Sequence, residues 1–217
     1  MHQKLHLEIL FKPQQQLFQK LNFFTDEYYM AGGTALALQI GHRTSLDFDI
    51  YSKSRFERNT IYNLLKNHFA EKDIIPVTLT KNTFIGKIDN INLSVFYYQY
   101  PLLKNPQKTT SIALASLEDI ASMKLIAIIQ RPAKRDYIDV YYLLKTFSID
   151  EMFSFASQKY QNFNPYLALR ALSYFEDIEK ESLEKRGIKI LDHSFSWQKI
   201  KEDITSKVKK YQLDMLK

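Results

Sequence analysis

Ala31-Gly32-Gly33-Thr34-Ala35-Leu36-Ala37-Leu38-Gln39-Ile40-Gly41-His42-Arg43-Thr44-Ser45-Leu46-Asp47-Phe48-Asp49-Ile50-Tyr51 joins two backbone rhythms in one short stretch. A glycine pair opens a helical run, and two aspartates then alternate with apolar residues. Gly32 and Gly33 leave the backbone open to close approach, and Thr34 is placed to cap the helix that Ala35 to Leu38 begin. The N-terminus of a helix offers unpaired N–H groups and a partial positive charge, which suits a phosphate. In Leu46-Asp47-Phe48-Asp49-Ile50 the alternation is that of a strand. Both carboxylates therefore leave on one face, roughly 7 Å apart along the strand, while Leu46, Phe48 and Ile50 take the other. Magnesium is commonly held by one or two carboxylates plus substrate phosphates, so the two halves of the stretch suit one polyphosphate ligand.

Outward from this stretch, Leu17, Phe18, Leu21 and Phe24 have the spacing of an amphipathic helix over residues 13–24, and Tyr28 to Ala31 read as a short buried strand. Residues 55–69 are helix-patterned, with Phe56, Ile61, Leu64, Leu65 and Phe69 as the buried set. Three runs rich in β-branched and aromatic residues follow, 74–80, 84–88 and 91–98, separated by turn-forming Lys81-Asn82 and Asp89-Asn90. Tyr100-Pro101 and the polar run 104–110 mark a boundary, beyond which almost everything is helix-patterned. The expected organisation is an α+β chain. A mixed β-sheet domain with flanking helices occupies residues 1–103, and a helical domain occupies 111–217. Alternating charges over 176–189 read as a solvated helix face, and 197–216 as a terminal helix.

In the helical half, Leu117, Ala121, Lys124 and Ile128 fall within about 60° of one another on a helical wheel, so Lys124 lies inside the apolar stripe. Asp136 repeats the anomaly, because Val140, Leu143 and Phe147 share its face. Opposite charges on two inward faces indicate either a structural ion pair or part of a site. Pro132 separates the two helices and gathers Arg131, Lys134 and Arg135 in the connecting turn, for solvation or for phosphate. Asp139 stands one turn after Asp136 and reads equally as a local helix partner.

Gly32-Gly33-Thr34, His42-Arg43-Thr44-Ser45 and Asp47-Phe48-Asp49, with the later block Ser116 to Ala127, Arg131 and Lys134-Arg135-Asp136-Tyr137-Ile138-Asp139, resemble the AbiEii/AbiGii toxin family. That family is a nucleotidyltransferase branch of the polymerase-beta-like superfamily, and the resemblance runs from residue 28 to 146. It implies a nucleotidyltransferase-like sheet domain and transfer of a nucleoside monophosphate from a nucleoside triphosphate, with pyrophosphate leaving. Asp47 and Asp49 would bind Mg2+ or Mn2+. Gly32, Gly33 and Thr34 would hold the β and γ phosphates, Lys124 would touch the triphosphate, and Arg43 and Ser45 would belong to the substrate loop. Asp136 would act as base or orient the acceptor, in an Arg-Asp-x-x-Asp pattern with Arg135 and Asp139, and Arg131 would contact substrate. The implied acceptor is RNA, in particular transfer RNA, and a cognate antitoxin is an implied partner. An antibiotic or protein acceptor, or a degenerate fold that binds nucleotide or nucleic acid without turnover, are the alternatives. One departure stands out: residues 91–98 hold no third carboxylate, and Asp89 would serve only if that strand began earlier.

Bulk properties agree. The 217 residues carry a net charge of +6, which favours a polyanionic partner or simply solubility. The absence of cysteine excludes thiolate metal sites and cysteine nucleophiles. No apolar run of membrane-spanning length occurs and the first residues lack a signal-peptide core, so a cytoplasmic protein without membrane contact is expected. The fourteen tyrosines and fifteen phenylalanines are assigned to cores before base stacking.

Overall fold

A computed structural model describes residues 4–70 and 73–216. The chain divides into two compact units. The first comprises residues up to Pro101 together with Asn105–Ala115, and the second comprises Leu102–Lys104 together with Ser116 onward.

The first unit is a five-stranded sheet with helices. In chain order it holds α1 (Lys12–Gln19), β1 (Tyr28–Met30), α2 (Gly32–Ile40), β2 (Phe48–Ser52), α3 (Thr60–His68), β3 (Ile74–Thr80), β4 (Thr83–Ile88) and β5 (Ile91–Tyr97). The strand order is β1-β2-β5-β4-β3. Only the β2–β5 pair is parallel, with Phe48 opposite Leu93 and Asp49 opposite Ser94. Antiparallel β3, β4 and β5 follow one another through two tight turns. Asp89 and Asn90 both take positive φ, 49° and 67°, the requirement of a two-residue type I′ hairpin, which Asx residues tolerate better than most. Asn82, at φ 66°, closes the other turn and receives the Phe56 amide on its side-chain oxygen at 3.0 Å.

One sheet face is the core. Phe48 and Ile50 of β2, Leu93 and Val95 of β5, and Phe84 and Ile88 of β4 are buried there, and Phe18 of α1 meets Phe48 ring to ring. Leu17, Leu21 and Phe24 are buried with them. The helix expected over 13–24 is shorter, giving way to a 3-10 turn at Leu21–Phe23 that keeps the same apolar set inward. The helix expected from residue 55 begins only at Thr60, because Phe56 is held to Asn82 through both its amide and its carbonyl. Residues 105–115 return beside β1, where Met30 accepts from Ala115 and donates to Ala113, both at 2.8 Å.

The second unit is helical: α4 (Leu117–Gln130), α5 (Lys134–Leu143), α6 (Ile149–Lys159), α7 (Pro165–Leu172) and α8 (Trp197–Asp214). α4 packs against α5, α6 and α7, and α8 packs against the latter three. The charged stretch 176–189 is not the helix its sequence suggested. It forms two 3-10 turns, Glu176–Ile178 and Glu184–Arg186, because Ile178 and Ile188 alone are buried there, too far apart for a helical stripe. Its acids serve as anchors instead. Glu179 binds Lys201 at 3.0 Å, and Glu181 pairs with Arg186 at 2.7 Å.

The centre of this unit is an ion pair. Asp119 and Lys159 approach to 2.7 Å with both side chains fully excluded from solvent. Asp119 also accepts from the amides of Leu103 and Lys104 and from the hydroxyl of the helix cap Ser116, so the small segment 102–104 is fixed to this unit through a carboxylate. Removing one member of a buried pair leaves a desolvated charge and costs about 3–5 kcal/mol. Asp119→Ala is expected to lower unfolding free energy by about that amount in a denaturant titration. Asp119→Ala with Lys159→Met should recover a large part of it.

Candidate active site

β2 sets the candidate site of the first unit. Phe48 and Ile50 are buried while Asp47 and Asp49 are half-buried on the opposite face, as alternation demands. The register extends that face across the sheet. Asn92 and Ser94 of β5 lie beside Asp47 and Asp49, Phe96 lies beside Tyr51, and Lys87 and Ile85 of β4 come next. This face is partly open throughout: Ser94, Phe96, Ile85 and Lys87 are half-buried and Asn92 is exposed. Asn92 Nδ2 donates to Asp47 Oδ1 at 2.8 Å.

β1 brings the glycines to the same place. Its last residue, Met30, pairs with Ile50, the Ala31 amide bonds to the Asp49 carbonyl at 3.1 Å, and the chain then turns into α2. Gly32 makes that turn at φ +72°, and a methyl group built on it would lie 3.4 Å from Asp49 Oδ2. A side chain there would be strained by its backbone and pressed against the carboxylate. The first turn of α2 thus starts alongside Asp49. Thr34 does not cap it, contrary to expectation: the helix already begins at Gly32, with Ala31 as cap residue and no side-chain cap bond. The Thr34 hydroxyl is directed to the Asp47 carbonyl and to Ser45 Oγ, and so joins the helix to the loop before β2.

That loop is packed inward. Arg43 is 2% exposed and Ser45 7% exposed, Arg43 Nη1 donates to the Thr44 carbonyl at 3.0 Å, and Gln14 Nε2 donates to the carbonyls of Ser45 and Leu46. Arg43 and Ser45 therefore support the loop from beneath. Asp89 lies in the β4–β5 turn, where its carboxylate accepts the Asp73 amide. β5 starts at Ile91, after Asp89, so Asn92 and Ser94 are the side chains of β5 that flank the acidic pair.

The helical unit carries the second group. Lys124 of α4 is 2.6 Å from Asp136 Oδ1 and 2.6 Å from Asp139 Oδ2, with all three side chains buried. Asp136 and Asp139 stand three apart on α5, on one face, and close around the single ammonium. The ion pair, one of the two readings for Lys124 and Asp136, is present, and Asp139 belongs to it. Asp136 Oδ2 is buried and accepts no hydrogen bond among the described residues. The neighbouring Tyr137 donates to the carbonyls of Ala171 and Tyr174, both at 2.8 Å. Burial, then the charges of Asp177 and Asp136, push its phenol up to about 12, so it remains a donor at neutral pH.

The basic turn is divided. Arg131 is exposed and Arg135 half-buried, but Lys134 is buried. Its ammonium donates to the Glu179 carbonyl at 2.7 Å and lies 4.9 Å from the centre of the Trp197 ring, which makes it a packing lysine. Sequence reading missed Asn92, Lys87 and the Asp119–Lys159 pair. The alternation of β5 puts Asn92 on the polar face, but only the non-local β2–β5 pairing sets it beside Asp47.

The family described as nucleotidyl transferase AbiEii toxin of type IV toxin–antitoxin systems matches residues 85–214, a range that holds β5 and the Lys124–Asp136–Asp139 group and begins after Asp49. An uncharacterized protein of Aquifex aeolicus (strain VF5) is 33% identical over 192 residues, covering 86% of this chain and 88% of that protein. JHP933 from Helicobacter pylori shares the fold with a TM-score of 0.58 at 17% identity, over 94% of this chain and 95% of that one. MenT4, a nucleotidyltransferase toxin from Mycobacterium tuberculosis H37Rv, shares it with a TM-score of 0.56 at 12% identity, over 89% and 82%. The α+β nucleotidyltransferase fold is thereby established, and the chain belongs to the AbiEii family of nucleotidyltransferase toxins.

Proposed function

We propose that this chain transfers a nucleoside monophosphate from a nucleoside triphosphate to an RNA acceptor, with transfer RNA the favoured class. The observation that carries the reading is the placing of Gly32, at φ +72°, against the Asp49 carboxylate on the half-open face that Asp47 shares.

The donors fit a hard divalent cation. Asp47 and Asp49 offer carboxylate oxygens on one face, and among the described residues no cluster of three or more histidines, cysteines or acids forms a self-contained metal cage. Two carboxylates completed by substrate phosphates are the usual arrangement for magnesium. When bound, Mg2+ or Mn2+ supplies charge neutralisation at the phosphates and helps to align the reacting oxygens. The protein's own groups do the rest. The first-turn amides of α2, from Gly32, Gly33 and Thr34, receive the β and γ phosphates at the positive end of the helix. The acceptor hydroxyl oxygen forms a bond to the α phosphorus, and the bond from that phosphorus to the pyrophosphate oxygen breaks.

In this reading Asp136 takes or orients the acceptor proton. Lys124 holds its Oδ1, and its second oxygen is the one assigned to the proton. The family resemblance assigns Lys124 a triphosphate contact and Arg131 and Arg135 acceptor phosphates, and Asp139 shares the Lys124 ammonium with Asp136. The excess of positive charge, with pI about 9.2, supports a polyanionic acceptor over a small antibiotic. No helix among the described residues is long and apolar enough to cross a membrane. A cytoplasmic protein held in check by a cognate antitoxin completes the proposal.

Two measurements test it. Purified protein incubated with each labelled triphosphate and with total RNA or total protein should label RNA in the presence of Mg2+. Asp47→Ala should abolish that label while leaving the melting temperature within a degree or two, since Asp47 is half-buried and outside the core. Label on protein alone, or undiminished label with Asp47→Ala, overturns the reading. Asp136→Asn should lower transfer by about a hundredfold or more and remain folded, because Lys124 keeps Asp139 as counter-ion. Full activity in that variant would leave Asp136 with a structural role alone.

A further inference from the structure

We infer that Asn92 is a positioning residue for the acidic pair, holding Asp47 so that one of its two oxygens is presented to the cation. The inference rests on the metal reading given above and adds a residue to it.

The geometry is specific. Asn92 sits on β5, which runs parallel to β2 with Leu93 opposite Phe48, so Asn92 is the side chain directly beside Asp47 on the polar face. Its amide nitrogen donates to Asp47 Oδ1 at 2.8 Å. An ionised carboxylate only accepts hydrogen bonds, so the amide must turn its N–H2 end toward it. That bond engages Oδ1 and restrains the carboxylate plane, and Oδ2 is the oxygen assigned to the cation. A half-buried aspartate just before a strand has rotamer freedom unless it is held, and ordering it on binding would cost side-chain entropy.

The stabilising value of the bond to the fold itself is small. Asn92 is exposed, and a solvent-exposed cross-strand bond contributes little to folding. The position thus has a polar side chain aimed at a candidate ligand, with little structural reason for it. Outer-shell partners of this kind typically tune metal affinity by tenfold or more.

The test is titration of the full chain with MnCl2, followed by calorimetry or by the paramagnetic resonance signal of free Mn2+, alongside thermal melting. Wild type should bind Mn2+ and Asp47→Ala should not. If wild type fails to bind, the metal reading falls, and the role of Asn92 falls with it. Asn92→Ala should weaken Mn2+ binding about tenfold with an unchanged melting temperature in the absence of metal. Wild-type affinity in Asn92→Ala, with Asp47→Ala still defective, overturns the positioning role and leaves the metal reading standing. Asn92→Asp keeps the size of the side chain and replaces the donor by a second carboxylate. It should melt lower than wild type without metal and gain more from Mn2+ than wild type gains. An equal or smaller gain would count against a cation held at Asp47.

Discussion

A strand has two faces, and β2 uses that fact to keep two charges at the surface of a packed unit. Phe48 and Ile50 are buried completely, and their burial fixes the rotation of the strand about its own axis. Asp47 and Asp49 are thereby placed on the other side of the strand, whatever contacts their own side chains make. The arrangement draws its rigidity from apolar packing, which tolerates no slip of one residue, rather than from the carboxylates. Acidic side chains close together repel, so a scaffold that holds them by their neighbours is the one that can present them to a cation.

The helical unit handles charge in the opposite way. Lys124, Asp136 and Asp139, like Asp119 and Lys159, are buried and paired with one another. Groups of this type contribute less to stability than their short distances suggest, because desolvation offsets much of the attraction. They do constrain geometry: an ammonium between two carboxylates has few acceptable positions, and a carboxylate gripped on one oxygen has a defined direction for the other. Asp119 shows the same economy, since its two oxygens receive a lysine, a helix cap and two backbone amides.

Most of this was readable in the chain because it depends on local periodicity. The alternation around Asp47, the β-branched runs of β3 to β5 and the charged residues inside apolar stripes at Lys124 and Asp136 are all features of neighbouring residues. What escaped was non-local or subtractive. Thr34 was misplaced by the two glycines before it, which join the helix rather than precede it. Residues 176–189 have the charge pattern of a helix face but lack the buried stripe that would hold one. Lys134 resembles a solvated basic residue until Trp197 and Glu179 arrive from much later in the sequence. Asn92 falls in the same class, since nothing in its own strand announces which strand will lie beside it.

The turn between β4 and β5 bears on all of this from a distance. Asp89 and Asn90 both adopt left-handed backbone and pin Ile88 opposite Ile91. Because β5 is also the parallel neighbour of β2, that pin sets the phase of the whole polar face. Drift in length at a surface loop is ordinarily harmless to a lineage. Here a one-residue slip of β5 would turn Asn92 and Ser94 inward and bring Leu93 out beside the aspartates, so this two-residue loop has little freedom to let the register drift.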